Sequence, residues 1–378
     1  MKRMILTSIL AMFLSATVHA EVDESETFLD TSYYSVQQLI LPKEKWKRID
    51  VASVPKFGGY IIGSYKYNSQ QGANGGEGFD LRLVRVHVDG TVMKDFKYRL
   101  QVELNGKPHI KDATLAWSHW QELEVKVGQF KRCFTFENPY HPFDVGMGDY
   151  SQLTKKFAGF GDRVGEATMG GRDIGVQVQG DAIKSPRDGH RQLHYALAVF
   201  NGQGINTRDV NRRKDFMGTI QWSPIRDLWI GAFGWSGGWT SENGITVDRR
   251  RMSFGAKYEG SENKISARAE YARSIGHKAS DYVPATETKP PYWAGGRHAD
   301  AWYITVGAPV WKWIKCYAKY DAYRDYANRS SLHAIYSLSA NLQPHGNFML
   351  QLQYNYHNDK TLQNQNYHQF WVQTYVRF

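Results

Sequence analysis

Most of the chain alternates polar and apolar residues at period 2, in stretches of about ten residues separated by turn-rich connectors. Sixteen such stretches can be read, near 57–68, 78–89, 95–105, 109–119, 122–133, 172–181, 191–201 and 213–223, then 228–238, 248–260, 264–275, 300–310, 314–325, 331–343, 347–358 and 367–378. No segment between them repeats at helical period, and after residue 20 no run of 18 apolar residues exists to cross a membrane as a helix. The connectors have a rhythm of their own. Short ones, such as Ser223 to Asp227, Gly260 to Asn263 and Pro344 to Asn347, alternate with long ones, such as Phe134 to Gly171 and Ile275 to Asp300. Asn105 to His109 and Ala327 to Ser330 are short where the rhythm calls for length, and Gly180 to Gln192 is long where it calls for a turn. A sandwich has no reason to gather its long loops at one end. An up-and-down sheet closed on itself does, and an even strand count returns both chain ends to the side of the tight turns. The fold expected is therefore all-β: a transmembrane antiparallel barrel of about 16 strands over residues 57–378.

The start of the chain agrees with that setting. Lys2 and Arg3 precede an apolar run from Met4 to Leu14, and Val18-His19-Ala20 resembles a signal-peptidase site, so residues 1–20 read as a signal peptide. Residues 21–56 read as a periplasmic N-terminal segment. A mean hydropathy of −0.55 suits a barrel, because only the lipid face of each strand must be apolar. The 23 Tyr and 12 Trp would supply interfacial belts. Cys133 and Cys316 fall at opposite rims, too far apart for a bridge. The last strand ends on Phe378, as the closing strand of bacterial outer-membrane barrels does.

Parity separates the two faces. Around Leu100 and Val102, residues Lys97, Arg99, Gln101 and Glu103 share the other side; Met252, Phe254 and Ala256 oppose Arg251 and Lys257. The apolar set must meet hydrocarbon, so the charged set lines water, and a polar interior implies a passage. Inward cations are Arg82, Arg85, Lys97, Arg99, Lys126, Arg251, Lys257, Arg268, Lys315 and Lys319. Inward acids are Asp80, Glu103, Asp112, Glu124, Asp173, Glu259, Glu270 and Asp321. The second strand changes phase near Leu83-Val84, which a bulge explains and which leaves either Arg82 or Arg85 the weaker assignment. A cationic excess on the wall favours anions. The plainer reading is a set of solvated charges paired across strands with little energetic effect. The net charge of +10, of which Lys2 and Arg3 carry two, accords with the first.

The connector from Phe134 to Gly171 is too long for an idle loop and carries seven aromatic residues. Folded into the barrel it would form a constriction, with Lys155, Lys156 and Arg163 facing acids on the wall or the reverse. An external lid or a contact between subunits would use the same residues.

Several segments resemble the phosphate-selective porin O and P family: Arg82 to Arg85 (RLVR), Asp112 to Leu115 (DATL), Val127 to Lys131 (VGQFK), Phe134 to Glu137 (FTFE) and Gly171 to Val178 (GRDIGVQV). The resemblance covers about residues 57–202. It implies a sixteen-stranded homotrimeric porin of the bacterial outer membrane with its third loop inside, passing small anions such as phosphate. It also implies lipid and lipopolysaccharide around the barrel, and no cofactor or nucleic acid. Lys131 is the one motif lysine matched directly, and an inward Lys131 needs a phase change near Gly128.

Two other readings stay open. A general or sugar-type porin would use aromatic rails, for which Tyr303, Tyr317, Trp371 and Tyr375 face inward by parity. An outer-membrane β-barrel hydrolase would need a Ser, His and acid set at the rim, and none stands out among the 13 His. No zinc-protease, nucleotide-loop or nucleophile-elbow motif occurs, and no His pair has metal-ligand spacing with supporting Cys or carboxylates; His190 and His194, four apart, read more simply as lumen or rim residues.

Overall fold

The computed structural model describes residues 54–70, 75–166, 170–262 and 264–378. The signal peptide and nearly all of the segment 21–56 lie outside these residues. Sixteen strands close into one antiparallel barrel: β1 (Lys56–Asn68), β2 (Gly76–Met93), β3 (Phe96–Glu103), β4 (His109–Trp120), β5 (Leu123–Lys131), β6 (Arg172–Lys184), β7 (Arg191–Phe200), β8 (Asp215–Ile225), β9 (Leu228–Thr240), β10 (Thr246–Glu259), β11 (Ser266–Ile275), β14 (His298–Trp311), β15 (Ile314–Arg324), β16 (Leu332–His345), β17 (Phe348–Asp359) and β18 (Asn366–Arg377). Each pairs with its neighbours in sequence, so the up-and-down barrel expected from the alternation is the observed one. Two further strands, β12 (Tyr282–Val283) and β13 (Tyr292–Trp293), form a small hairpin in the connector after β11. No helix among the described residues is long and apolar enough to cross a membrane.

The seam joins β1 to β18, from Tyr60 opposite Arg377 to Asn68 opposite Gln369. Gly59 and Phe378 add two backbone hydrogen bonds, at 2.9 and 3.0 Å, at its end. Closure leaves no strand edge whose N–H and C=O groups would face hydrocarbon without partners. Parity holds around the ring. Leu100, Phe254, Ile304 and Leu338 are exposed on the outer surface, while Gln101, Ser253, Thr305 and Ser337 are buried on the inner one. At the end that carries the short turns, Trp120 and Trp222 are exposed on the outer surface, where an aromatic belt would lie.

Two bulges move charges inward. Opposite Ile62 and Gly63 the register of β2 jumps from Leu83 to Leu81, so Arg82 is the extra residue and both Arg82 and Arg85 point inward. The phase change is thus one residue earlier than the sequence suggested, and neither arginine is displaced. In β4 the register skips Lys111 opposite Gln101 and Val102, which turns Lys111 inward beside Asp112. Strict alternation hides that lysine. Cys133 and Cys316 are both free.

A charged residue on the outer wall should prevent insertion. Phe254→Arg, at the middle of β10, is expected to cost about 2–4 kcal/mol. Loss of the folded, heat-modifiable band on semi-native gels checks this, with Lys97→Gln folding normally as the control.

Candidate functional site

The chain between β5 and β6, residues 132–171, is called loop 3 here. It contains one short helix, α1 (Gln152–Ala158), with the Ser151 side chain accepting from the Thr154 N–H and Gly159 closing the C-terminus at φ 98°. Seven residues give too little periodicity to be seen in the sequence. Loop 3 bonds to side chains on the inner face all around the ring. The Asp321 carboxylate of β15 accepts the Gln152 N–H at 2.9 Å, and Glu270 of β11 accepts the Phe136 N–H at 3.2 Å. Ser339, Asn341 and Gln351 donate to the Gly146 carbonyl, and Gln353 accepts the Gly148 N–H. Gly146 has φ 85°, and a Cβ there would lie 2.4 Å from the Tyr317 ring, so only glycine allows this approach.

The tightest attachment is a seam of charges on the side of β8 to β10. Arg132, Arg249 and Arg251 stack around the Trp235 ring with their guanidinium carbons 4.9, 4.5 and 4.7 Å from its centroid. Arg132 pairs with Glu166 at 2.9 Å and Asp173 at 2.7 Å; Arg251 pairs with Asp162 through two bonds of 2.7 and 2.5 Å. Arg249 bonds Glu166 and, at 2.7 Å, Asp215. All seven charged residues are buried. Three cations against four carboxylates, each with hydrogen-bonded partners, satisfy the condition under which charges tolerate burial. This seam fixes loop 3 to the wall and excludes water.

The opposite wall, β1 to β6, is arranged differently. From the end with the long loops inward, Arg82 meets Asp149 at 3.3 Å, and Lys155 meets the same carboxylate at 2.8 Å. Burial opposes ionisation of Asp149, yet Lys155 and Arg82 together hold its carboxyl well below the usual range. Next, Arg85 bonds Glu103 at 2.6 Å and the Tyr60 hydroxyl at 2.7 Å, and Arg172 forks onto Asp112 at 2.8 and 2.9 Å. Lys131 donates to the Tyr140 carbonyl at 2.6 Å and lies 5.8 Å from the Tyr150 ring centre; among the described residues no carboxylate comes within 4 Å of it. Gly128, with φ 116°, is the irregularity that precedes it in the strand. Burial first, then the charges of Lys131 and Arg85, push His141 of loop 3 down to about 3, so that imidazole is neutral.

On the short-turn side of loop 3 the lumen opens. A cavity of about 770 Å³ is lined by Lys97, Arg99, Lys126 and Lys131, with Gln177 and Gln179. Two others, of about 480 and 580 Å³, are lined by Arg268 with Lys315 and by Lys257 with His194, and Asp144 and Glu259 line both. With Arg85, which also lines the first cavity, eight of the cations picked out by parity or motif therefore line these three cavities. Lys97, Lys257 and Lys315 have no carboxylate within 4 Å among the described residues; Arg99 forks onto Asp89 and Lys126 meets Glu124 at 3.1 Å. Arg268 donates to the Val145 carbonyl and lies over the Tyr140 ring at 4.4 Å.

Three expected members stand elsewhere. Arg251 is consumed by the charge seam. Lys319 is buried at 3.4 Å from Asp321. Arg163 is not a constriction cation: it is buried and donates to Asp325 and to the Gly276 and Gly296 carbonyls, tying loop 3 to the connectors after β11 and β15. Lys156 lies over the Tyr323 ring at 5.9 Å. The four aromatic residues proposed as a sugar rail serve loop 3 instead. Tyr303 and Tyr375 are almost fully buried, the first on Glu270 and the second on Phe143, while Tyr317 and Trp371 pack against Gly146 and Gly148. Arg132, Arg172, Arg249 and Lys111 belong to the site and were not singled out. Arg249 shares the parity of Arg251, so its signal was present. Among the described residues no group of three His, Cys, Asp or Glu side chains is placed to hold a metal.

No family model matches the chain, and no curated protein matches it. Solved structures do. An anion-selective porin from Comamonas acidovorans superposes with a TM-score of 0.63 at 14% identity, covering 86% of this chain and 100% of that one. The chain has the porin fold. The outer membrane channel DcaP of Acinetobacter baumannii gives 0.59 at 12% identity, covering 87% and 98%, and Salmonella typhi OmpF gives 0.58 at 11%, covering 86% and 97%. At these identities the likeness concerns fold, and the residues described above must carry any argument about solutes.

Removing one carboxylate from the seam should loosen loop 3. Asp162→Asn strips the buried Arg251 of its charge partner and is expected to cost about 3–5 kcal/mol. A lower melting temperature with an intact barrel by circular dichroism, and noisier single-channel current, are the expected readouts.

Proposed function

We propose that the protein is an outer-membrane diffusion channel that favours small anions, and that it assembles as a homotrimer. The observation that carries the reading is an asymmetry in how the inner charges are satisfied. Of the eight inward acids, Glu103, Asp112, Glu124 and Asp173 lie against a cation. Glu270 and Asp321 accept loop 3 backbone N–H groups, and Glu259 takes the Tyr140 hydroxyl. Asp80, at the outer rim, is exposed. The lysines Lys97, Lys131, Lys257 and Lys315 have no such partner. Asp144 of loop 3 is exposed beside the two smaller cavities and has no cation within 4 Å among the described residues, as is true of Glu259, but the four lysines outnumber these two acids. Fixed positive charge is therefore in excess in the open space, where a low-dielectric wall focuses its field.

The path that fits this arrangement runs between loop 3 and the β1–β6 wall, past Arg82, Arg85 and Lys131 to Lys126 and Arg99. The β8–β10 side is sealed by the Trp235 seam. Phosphate belongs to the class of anion that such a path suits, and selection of phosphate over other anions is the finer form of the proposal. The anion-selective porin among the structural neighbours has a similar fold, which supports the reading without assigning its residues to this chain.

Reversal potentials across a planar bilayer in a potassium chloride gradient test it. Chloride should permeate better than potassium. Lys131→Glu should lower the anion-to-cation permeability ratio roughly fivefold, the effect of about 1 kcal/mol of ion–pore energy, and Asp149→Asn should raise the ratio by freeing Arg82 and Lys155. A cation-preferring wild type would overturn the proposal. Block of chloride current by phosphate at concentrations where sulfate has no effect would establish the finer form; equal block by both would reject it.

A further inference from the structure

Loop 3 leaves two tryptophans bare at the short-turn mouth of the lumen. Trp311 ends β14 and Trp313 lies in the turn to β15, and both line the cavity of about 480 Å³. They are 68% and 47% exposed, unlike the inward aromatic rings that loop 3 covers. Among the described residues neither indole packs on another aromatic ring and neither N–H has an acceptor. The Lys312 ammonium lies 5.6 Å from the Trp313 ring centre. Trp120 and Trp222 are also exposed, but on the outer surface, where the membrane interface takes an indole. Trp311 and Trp313 share their cavity with inward residues of the wall, Arg268, Lys315 and Asn341, so the space they line is aqueous.

The charges of this cavity are not balanced either. Lys264, Lys312 and Lys315 line it, and none has a carboxylate within 4 Å among the described residues. Arg268, which also lines it, is held by the Val145 carbonyl and the Tyr140 ring. Of the two acids present, Glu259 takes the Tyr140 hydroxyl and Asp144 is exposed. Four cations against two carboxylates leave a positive excess beside two uncovered indoles. Chloride or phosphate would meet the lysines and leave the rings in water. A neutral sugar would cover the rings and leave the lysines unpaired. A flat ring that carries a carboxylate meets both, because aromatic faces attract one another beyond the area they bury and ammonium groups donate strongly to a carboxylate. The volume is within the range of small-molecule sites.

We propose that Trp311 and Trp313, with Lys312 and Lys315, form a site for planar organic anions, of which aromatic carboxylates are the simplest, at the short-turn mouth. The site rests on the reading of the lumen as a diffusion channel and adds a solute class to it.

Planar bilayers carrying chloride current test this with benzoate, acetate and glucose as probes. Benzoate should reduce the wild-type current at about one tenth of the acetate concentration, the effect of stacking one ring, and glucose should not relieve that block. The Trp311→Leu/Trp313→Leu double variant should lose the advantage of benzoate while keeping its heat-modifiable fold and its reversal potential. Trp222→Leu, on the outer surface, should keep the advantage. Equal block by benzoate and acetate in the wild type, or an unchanged advantage in the double variant, would overturn the proposal. So would relief of the block by glucose, which would mark the rings as a sugar site. A wild type that prefers potassium to chloride, yet is blocked by benzoate through these two tryptophans, would overturn the anion preference and leave this site in place.

Discussion

Hydrocarbon supplies no hydrogen-bond partner, so a chain that crosses it as strands must pair every backbone N–H and C=O with a neighbour and leave no edge. In this protein the requirement is met by sixteen strands in sequence order and by the join between β1 and β18. Its consequence for side chains matters more. With apolar residues held outside along the hydrocarbon span, the charged residues of that span turn inward, and the lumen receives cations and carboxylates in similar number. A wide barrel filled in this way has no evident selectivity. What differentiates the charges is loop 3.

Loop 3 consumes charge unevenly. Its backbone N–H groups and its arginine partners need acceptors, and the wall supplies Glu270, Asp321, Asp173 and Asp215. Its own carboxylates, Asp162 and Glu166, neutralise Arg251 and Arg249 where water is excluded. Lysines below the loop face open cavities and are offered carbonyls or aromatic rings instead of carboxylates, as Lys131 and Lys257 show. A loop that packs by backbone donors removes anionic character from the lumen; its own carboxylates neutralise Arg249, Arg251 and Arg82, and the lysines beyond their reach keep their charge unpaired. Selectivity in this account is a by-product of how the constriction is anchored.

The barrel was legible because its constraint acts locally. Each strand needs its own alternation and each connector its own length, and neither depends on distant residues. The fate of an inward charge depends on what it meets, which no window of sequence contains. Arg251 and Lys257 share one strand and one face; Arg251 is buried on Asp162, 89 positions away, while Lys257 faces a cavity. Alternation placed both correctly on the inside and could not separate them. Strict alternation hides Lys111 behind a bulge, and the role of Arg172 depends on Asp112, 60 positions away. Tyr303 and Tyr375, read as candidates for a rail, became packing once loop 3 lay over them.

The central claim is that anions, not cations, find unsatisfied partners in the lumen. Anomalous diffraction from crystals soaked in rubidium bromide tests it directly, because each ion scatters at its own absorption edge. The account predicts bromide peaks beside Lys97, Lys131, Lys257 and Lys315 and no rubidium beside Glu103, Asp112, Glu270 or Asp321. Rubidium at those carboxylates, with no bromide at the lysines, would contradict it.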